Sequence, residues 1–270
     1  MLSTTGGGRF SIRRYPEVAY ILNAMGVKNM QKIGIFACLI LLTGCSKVSE
    51  LGFPAGVSSV TDQSLPLWQG AWIAAGVVGV ITLVLILWPA VFHRPKVGAP
   101  EFPKQTQYNI PIEITYTVIP LVIVAVLFFF TVQKQNVITA KSTTPVHEIA
   151  VTGFQWSWQF AHTDAGKEAV VTGTPSEPPV LVVPLGERVR YTLRANDVIH
   201  GFWIPAFMIQ MQNIPGVTNN LEFTAKKLGE YPGRCNMHCG RAHSQMRFTV
   251  KVVTPAEYQS YLQSLVGSAA

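Results

Sequence analysis

Charged side chains are scarce in this chain of 270 residues: they make up 13% of it, whereas hydrophobic residues make up 49%. Soluble domains usually carry about 25% charged residues, so the deficit indicates that part of the chain lies in lipid. The formal net charge is +7, but the lysines and arginines are scattered and form no basic run of the kind that binds nucleic acid. We therefore expect no nucleic-acid partner.

Cysteine is also rare, and its four positions fall into two unrelated contexts. Two lie in an N-terminal apolar region and two lie in a C-terminal loop: Cys38, Cys45, Cys235 and Cys239. Such a distribution does not predict a disulfide framework. The sequence also lacks internal repeats, so a solenoid is not expected.

The N-terminal region is typical of an export leader. Residues 33–43 form an apolar run after Lys28 and Lys32, and this run is shorter than the roughly 20 residues that span a bilayer. It closes with the letters LTGC, ending at Cys45, which resemble a bacterial lipobox. We expect residues 1–44 to be removed and Cys45 to be lipidated. The alternative is an ordinary buried cysteine after a short helix.

Two long apolar segments predict a transmembrane hairpin over residues 69–132, after an extracytoplasmic segment at 45–68. Residues 69–92 carry no charge, and residues 111–132 carry one acid, Glu113. The loop between them is short and basic, and such loops stay in the cytoplasm. Both flanks are then outside, which predicts a multi-pass protein of the bacterial cell membrane in contact with lipid. A buried helix pair in a soluble protein is the alternative.

Glu113 has two interpretations at this stage. An ionisable group at membrane depth is costly and by default suggests a function. However, it lies in the first turn of the second span, where the helix dipole stabilises an interfacial acid.

Residues 141–270 change to short alternating segments separated by glycine and proline. This pattern predicts an extracytoplasmic β-sandwich or barrel. A short helix should close the chain, because Thr254 suits the N-cap, Pro255 the first helical position and Glu257 a capping box.

The loop at 235–246 reads CNMHCGRAHSQM and concentrates metal-binding side chains. It supplies Cys235, Cys239, His243 and Met246, and His200 is the best upstream candidate for a further imidazole. Thiolate, thioether and imidazole together suit copper that cycles between Cu(I) and Cu(II), and a second cysteine allows a dinuclear centre. A disulfide, structural zinc, and core positions for Met246 and His200 remain alternatives.

At these residues the sequence resembles cytochrome c oxidase subunit II, over residues from about 67 to 262. The copper A motif of that family is matched by Cys235, Cys239, Gly240, His243 and Met246, with His200 upstream. The resemblance implies a two-helix anchor followed by a cupredoxin barrel that holds dinuclear copper. A lipidated N-terminus together with a two-helix anchor resembles the actinobacterial members of this family.

The resemblance also assigns individual roles. The stretch GFQWSW at 153–158 implies that Trp156 receives the electron, and the segment beginning at Glu113 implies that this acid lies at the mouth of a proton channel into subunit I. The backbone carbonyl of Met237 corresponds to a copper ligand. The family usually has a glutamate there, which also binds magnesium, and a thioether is a poor ligand for so hard a cation. Asn213 replaces an acid that we expect to help dock the donor.

The predicted function is electron entry into a respiratory oxidase. The chain would accept electrons from a c-type cytochrome and pass them to haem in subunit I, where oxygen is reduced to water with proton translocation, with subunit III as a further partner. Residues 141–270 contain eleven Lys or Arg and nine Asp or Glu, which favours a membrane-tethered donor, for instance in a bc-type complex. A copper-free quinol-oxidase-like subunit and a copper-delivery lipoprotein are the alternatives. Nitrous oxide reductase shares the motif but has no comparable hairpin.

Overall fold

The computed structural model of the chain describes residues 51–93, 98, 105–143, 147–163 and 169–268. The leader, the lipidation site Cys45 and the charged positions of the basic loop lie outside the described residues, so the expectations about them stay predictions.

In the part of the chain that the structure describes, two helices are long and apolar enough to cross a membrane. Helix α1 spans Thr61–Phe92 and helix α2 spans Ile110–Thr139. At 1.5 Å per residue, the 32 residues of α1 extend about 48 Å, more than the roughly 30 Å of a hydrocarbon core. Their apolar side chains are largely exposed in the isolated chain, which fits a lipid or protein environment better than the core of a soluble domain.

An all-β domain follows the helices. Among the described residues, its strands are β1 His147–Phe154, β2 Ser157–His162, β3 Ala169–Thr172, β4 Val180–Pro184, β5 Arg188–Ala195, β6 His200–Ile204, β7 Ile209–Asn213, β8 Asn219–Thr224, β9 Gly229–Cys235 and β10 Arg247–Val253. They form two five-stranded sheets, with the orders β3-β2-β1-β5-β8 and β4-β10-β9-β6-β7. The pairs β1–β5 and β4–β10 are parallel, and the other pairs are antiparallel. The predicted fold class, a helical hairpin followed by an all-β cupredoxin-like domain, is confirmed.

The core lies between the two sheets and is aromatic. Strand β5 turns one face to this core. Val189, Tyr191 and Leu193 are buried while the residues between them are not, as expected from the alternation of side chains along a strand. The rings of Phe202 and Phe248 stack at 4.9 Å between centroids, and Trp158 meets both rings edge-on. These contacts fix strands β6 and β10, which flank the site described below.

The segment before α1 is part of the β domain. Val57 and Val60 belong to its core, and the backbone of Ser59 and Val57 bonds to Thr224 and Lys226 at 2.9 Å. Burying two valines contributes a few kcal/mol. The β domain therefore uses residues from both sides of the helical hairpin.

The segment after α2 is held by an ion-pair cluster around the buried Glu222. Glu222 accepts hydrogen bonds from Arg188, Arg190 and the backbone N–H of Ser142, at 2.7–2.9 Å. The two arginines also bind the carbonyls of Ala140 and Ser142. Burial by itself raises the pKa of Glu222, but the bonds from Ser142 and the arginines outweigh it and hold the pKa below its usual value.

A final helix, α3, spans Pro255–Ser268. Its predicted capping box is confirmed, since the Thr254 hydroxyl accepts from the N–H of Glu257 at 3.3 Å and Glu257 Oε2 accepts from the N–H of Thr254 at 2.9 Å. Tyr258 and Leu262 anchor the helix to the domain.

Candidate metal centre

The predicted metal ligands lie at one end of the β4-β10-β9-β6-β7 sheet. Cys235 is the last residue of β9, Met246 directly precedes β10, and the connecting loop carries the other loop ligands. His200 opens β6, whose Phe202 pairs with Cys235. Strand pairing thus brings a residue 35 positions upstream to the cysteine loop.

The donor atoms converge within a few ångströms. The ligand atoms of His200, Cys235 and Cys239 lie within 4.8 Å of one another. Cys239 Sγ is 3.9 Å from Cys235 Sγ, 3.5 Å from His243 Nδ1 and 3.8 Å from Met246 Sδ. The Met237 carbonyl oxygen is 3.1 Å from Cys235 Sγ. The structure therefore brings all six predicted donors together.

The cluster is shielded from solvent. Cys235 and Cys239 are 4% and 3% exposed, and His200 and Met246 are fully buried. Both thiols are free, and their separation far exceeds the 2.05 Å of a disulfide bond. A disulfide is therefore not the state that this geometry supports.

His200 is oriented for metal binding by its second nitrogen. Its Nε2 is 2.8 Å from Asp197 Oδ1, whereas its buried Nδ1 has no hydrogen-bond partner among the described residues. A buried nitrogen left unpaired is costly, and a histidine whose other nitrogen bonds a carboxylate is the usual arrangement of a metal ligand. Gly153 packs under this ring, where a Cβ atom would lie only 3.0 Å away. The geometry points Nδ1 at the thiols.

Electrostatics at the two thiols favour a cation between them. Burial raises the pKa of Cys235, but His200 and the N–H of Gly201 outweigh it, so this pKa lies below its usual value. Burial and the charge on Cys235 raise the pKa of the Cys239 thiol to about 12. For His200, burial lowers the pKa, and the neighbouring Cys235 and Asp197 raise it above its usual value. A bound cation would stabilise the thiolate form of both cysteines.

The indole of Trp156 bonds to the same loop. Trp156 Nε1 and Gln155 Nε2 both donate to the Cys239 carbonyl, at 3.2 and 2.9 Å. Gly240 follows with a φ of +121°, and a Cβ atom there would approach the indole nitrogen to 3.1 Å. Glycine is therefore required on both counts, and the half-buried Trp156 is connected to the backbone of a ligand cysteine.

One residue of the site, Asp197, was not singled out by the sequence. Asp197 bonds His200 through one oxygen and accepts from the backbone N–H of Gln155 through the other, at 2.6 Å. Partial burial raises the pKa of Asp197, but the bonds from His200 and the backbone N–H groups of Gln155 and Val198 hold it below its usual value. The only sequence signal was the acid three residues before the histidine.

Comparison with known proteins places these features in a family. The family model described as cytochrome C oxidase subunit II, periplasmic domain, matches residues 176–253. A protein of Streptomyces avermitilis named probable cytochrome c oxidase subunit 2 is 37% identical, over 88% of this chain and 86% of its own length. The cytochrome c oxidase subunit 2 of Mycobacterium bovis is 33% identical, over 90% of this chain and 83% of its own.

The chain belongs to the cytochrome c oxidase subunit II family. Among solved structures, the periplasmic domain of subunit II from Bradyrhizobium japonicum is 31% identical, covers 48% of this chain and all of its own, and has a TM-score of 0.44.

Two departures from the family motif have different structural consequences. Met237 turns its carbonyl to Cys235, while its half-buried thioether lies 3.7 Å from Gln212 Nε2. Asn213 is fully buried, and its Nδ2 donates to the carbonyls of Val151 and Arg194. The expectation that this position belongs to a donor-docking surface is therefore wrong, because the side chain faces the interior and ties strands together.

Glu113 lies far from the metal centre, in the first turn of α2. Its Oε1 accepts from the N–H of Asn109, and Asn109 Oδ1 accepts from the N–H of Ile112, at 3.0 and 3.3 Å. This reciprocal pair caps the helix. The geometry gives Glu113 a structural role, and its role in proton uptake stays a prediction.

Proposed function

We propose that the chain accepts single electrons from a c-type cytochrome at a dinuclear copper centre and passes them to haem in subunit I of a haem–copper oxidase. The observation that carries this proposal is the convergence of five soft or borderline donors and one backbone carbonyl in a largely buried cluster that is bonded to Trp156. Copper, when bound there, supplies a one-electron redox couple.

The number and spacing of the donors support two metal ions. A structural zinc site is complete with four ligands, and here six donors are available. His243 and Met246 approach Cys239, whereas His200 and the Met237 carbonyl approach Cys235. The sulfurs of Cys235 and Cys239 are 3.9 Å apart, so both thiolates would be available to hold the two metal ions.

The protein's contribution is a donor set held in place. The ligands are attached to paired strands, packed against aromatic rings and largely shielded from water. A site that is held rigidly changes little when its charge changes, which is what an electron carrier requires. The Trp156 indole gives an entry route through its hydrogen bond to Cys239. The alternative of a copper-delivery lipoprotein leaves this bond without a purpose.

Metal analysis and EPR on the full-length chain in detergent test the proposal. The full chain is needed because Val57 and Val60 are part of the domain core. We expect two coppers per chain and hyperfine coupling to both nuclei. Cys235→Ser should abolish the shared-electron signal, and Met246→Leu should retain copper with a shifted potential. One bound zinc, or a Cys235–Cys239 disulfide in the copper-loaded protein, would contradict the proposal.

The same proposal places the copper domain outside the cell and the hairpin in the membrane. Two apolar helices and the family's periplasmic domain support it. Lipidation of Cys45, contact with subunits I and III, and coupling to proton translocation are parts of this proposal. A magnesium contact is not part of it, since Met237 offers no carboxylate.

A further inference from the structure

One imidazole of the loop between β9 and β10 has no place among the six donors. His238 is exposed and directly precedes Cys239. Its ring meets the ring of His243 edge-on, with 5.6 Å between centroids and an interplanar angle of 61°. An exposed histidine is usually only solvated, but this one lies against the one predicted ligand side chain that is itself partly exposed.

The burial of the other ligands restricts how metal reaches the site. Both cysteines are nearly inaccessible, and His200 and Met246 are fully buried. His243 is half-buried, and its Nδ1 lies 3.5 Å from Cys239 Sγ. Among the predicted ligand side chains, His243 is therefore the one that solvent reaches, and His238 lies against it.

We propose that His238 is the entry ligand for copper during assembly of the site, an inference that rests on the proposed copper function. The His238 imidazole replaces one ligand of a copper carrier, and a nitrogen of His243 then binds the same ion. Cys239 Sγ binds next and releases its thiol proton to water, and the bond to His238 breaks. Each step exchanges ligands at an unchanged oxidation state, so no oxidant or reductant is needed. Imidazole suits this task because it binds both Cu(I) and Cu(II).

The rate of copper uptake tests the proposal. The full-length chain is prepared metal-free and reduced in detergent. It is then mixed with one equivalent of glutathione-bound Cu(I) and one of glycine-bound Cu(II). Stopped-flow spectroscopy follows the thiolate-to-copper charge-transfer absorption. His238→Gln should slow uptake by about tenfold, the lower end of what a supporting group contributes at a metal site. Its final spectrum and copper content should equal those of the wild type. His93→Gln removes an exposed imidazole remote from the site and should load at the wild-type rate.

Each of the remaining outcomes contradicts either the entry role of His238 or the proposed copper function. Equal uptake rates for His238→Gln and wild type would overturn the entry role. Slow uptake with an altered final spectrum would also overturn it, because His238 would then be a resident ligand or a structural group. Failure of the wild type to bind copper would instead refute the proposed function, so the two failures are distinguishable.

Discussion

Asp197 is not itself a predicted metal ligand, but it affects the orientation of a ligand and the charge at the candidate metal centre. It holds His200 Nε2 and the backbone next to Trp156 at once, so it couples ligand orientation to the proposed electron-entry route. Its carboxylate would also place a negative charge beside the proposed copper, which would stabilise the more positive oxidised state.

Two substitutions at Asp197 separate these effects. Asp197→Asn removes the charge and keeps one acceptor oxygen, so we expect a raised reduction potential with a nearly unchanged EPR spectrum. Asp197→Ala also frees the His200 ring, so hyperfine couplings should change and copper affinity should fall about 10- to 100-fold. Redox titration and EPR of the full-length chain measure both. An alanine variant that matches the wild type in spectrum and affinity would show that His200 needs no such support.

The sequence predicts the metal ligands better than the residues that hydrogen-bond to them, because the latter lie far apart in the chain. Cys235 to Met246 lie within one loop, and the donor types alone favour copper over zinc or a disulfide. Asp197 and Gln155 are 42 residues apart and meet only because β1, β5 and β6 fold together. The burial of Asn213 likewise depends on its register opposite His200, which no local pattern specifies.

At the scale of elements, the attachment of the helical hairpin to the β domain was the least predictable feature. The segment around Val57 shows no strong periodicity, yet it enters the core. The hairpin and the alternating strands were predictable because long apolar runs and period-two burial are direct consequences of lipid and of a two-sided sheet.

The Glu222 cluster should make the stability of this attachment depend on pH. Because the folded-state pKa of Glu222 is lowered, its stabilisation is present above the usual glutamate pKa of about 4.3 and is lost as pH falls through the folded value. Glu222→Gln should cost about 2 kcal/mol at neutral pH, below the range for a fully buried pair because the arginines are partly exposed.

Thermal unfolding of the full-length chain, followed by near-ultraviolet circular dichroism, measures this difference. Glu177→Gln, at an exposed acid, is the control and should change stability little. If the difference between Glu222→Gln and wild type persisted well below the lowered pKa, charge would not be its source.

At the start of α2, two substitutions separate the acidic function of Glu113 from its role in capping the helix. Glu113→Gln keeps an oxygen that accepts the Asn109 N–H, so the cap survives while the acid is lost. We expect slower turnover of the assembled oxidase with unchanged copper reduction by the donor. Asn109→Ala is the matched control, since it weakens the cap by about 1 kcal/mol and keeps the acid. Unchanged turnover of Glu113→Gln across pH would leave Glu113 with its capping role alone.

For the whole molecule, topology can be tested independently of electron transfer. Cys45→Ala should eliminate labelling by a radioactive lipid precursor while the chain remains in the membrane through its helices. Protease added to intact spheroplasts should cut the β domain and spare the loop at 93–108. The reverse pattern of cleavage would show an inverted topology.

The surface around the metal centre also determines which donor suits this protein. Soluble basic cytochromes are steered by acidic patches, and such steering weakens with salt. Here the acid beside the site is engaged, since Asp197 binds His200. Arg234 and Arg247 are exposed, lie opposite each other on β9 and β10, and directly flank Cys235 and Met246.

This arrangement favours a donor that is held nearby, because a tethered partner has a high effective concentration and needs no long-range attraction. We therefore expect oxidase turnover with added soluble basic cytochrome c to be slow at low ionic strength and to change little as salt rises. Trp156→Gln should block electron entry from either kind of donor, since it removes the indole bonded to Cys239. Fast turnover at low salt that collapses with added salt would reveal an acidic docking surface and contradict the tethered-donor prediction.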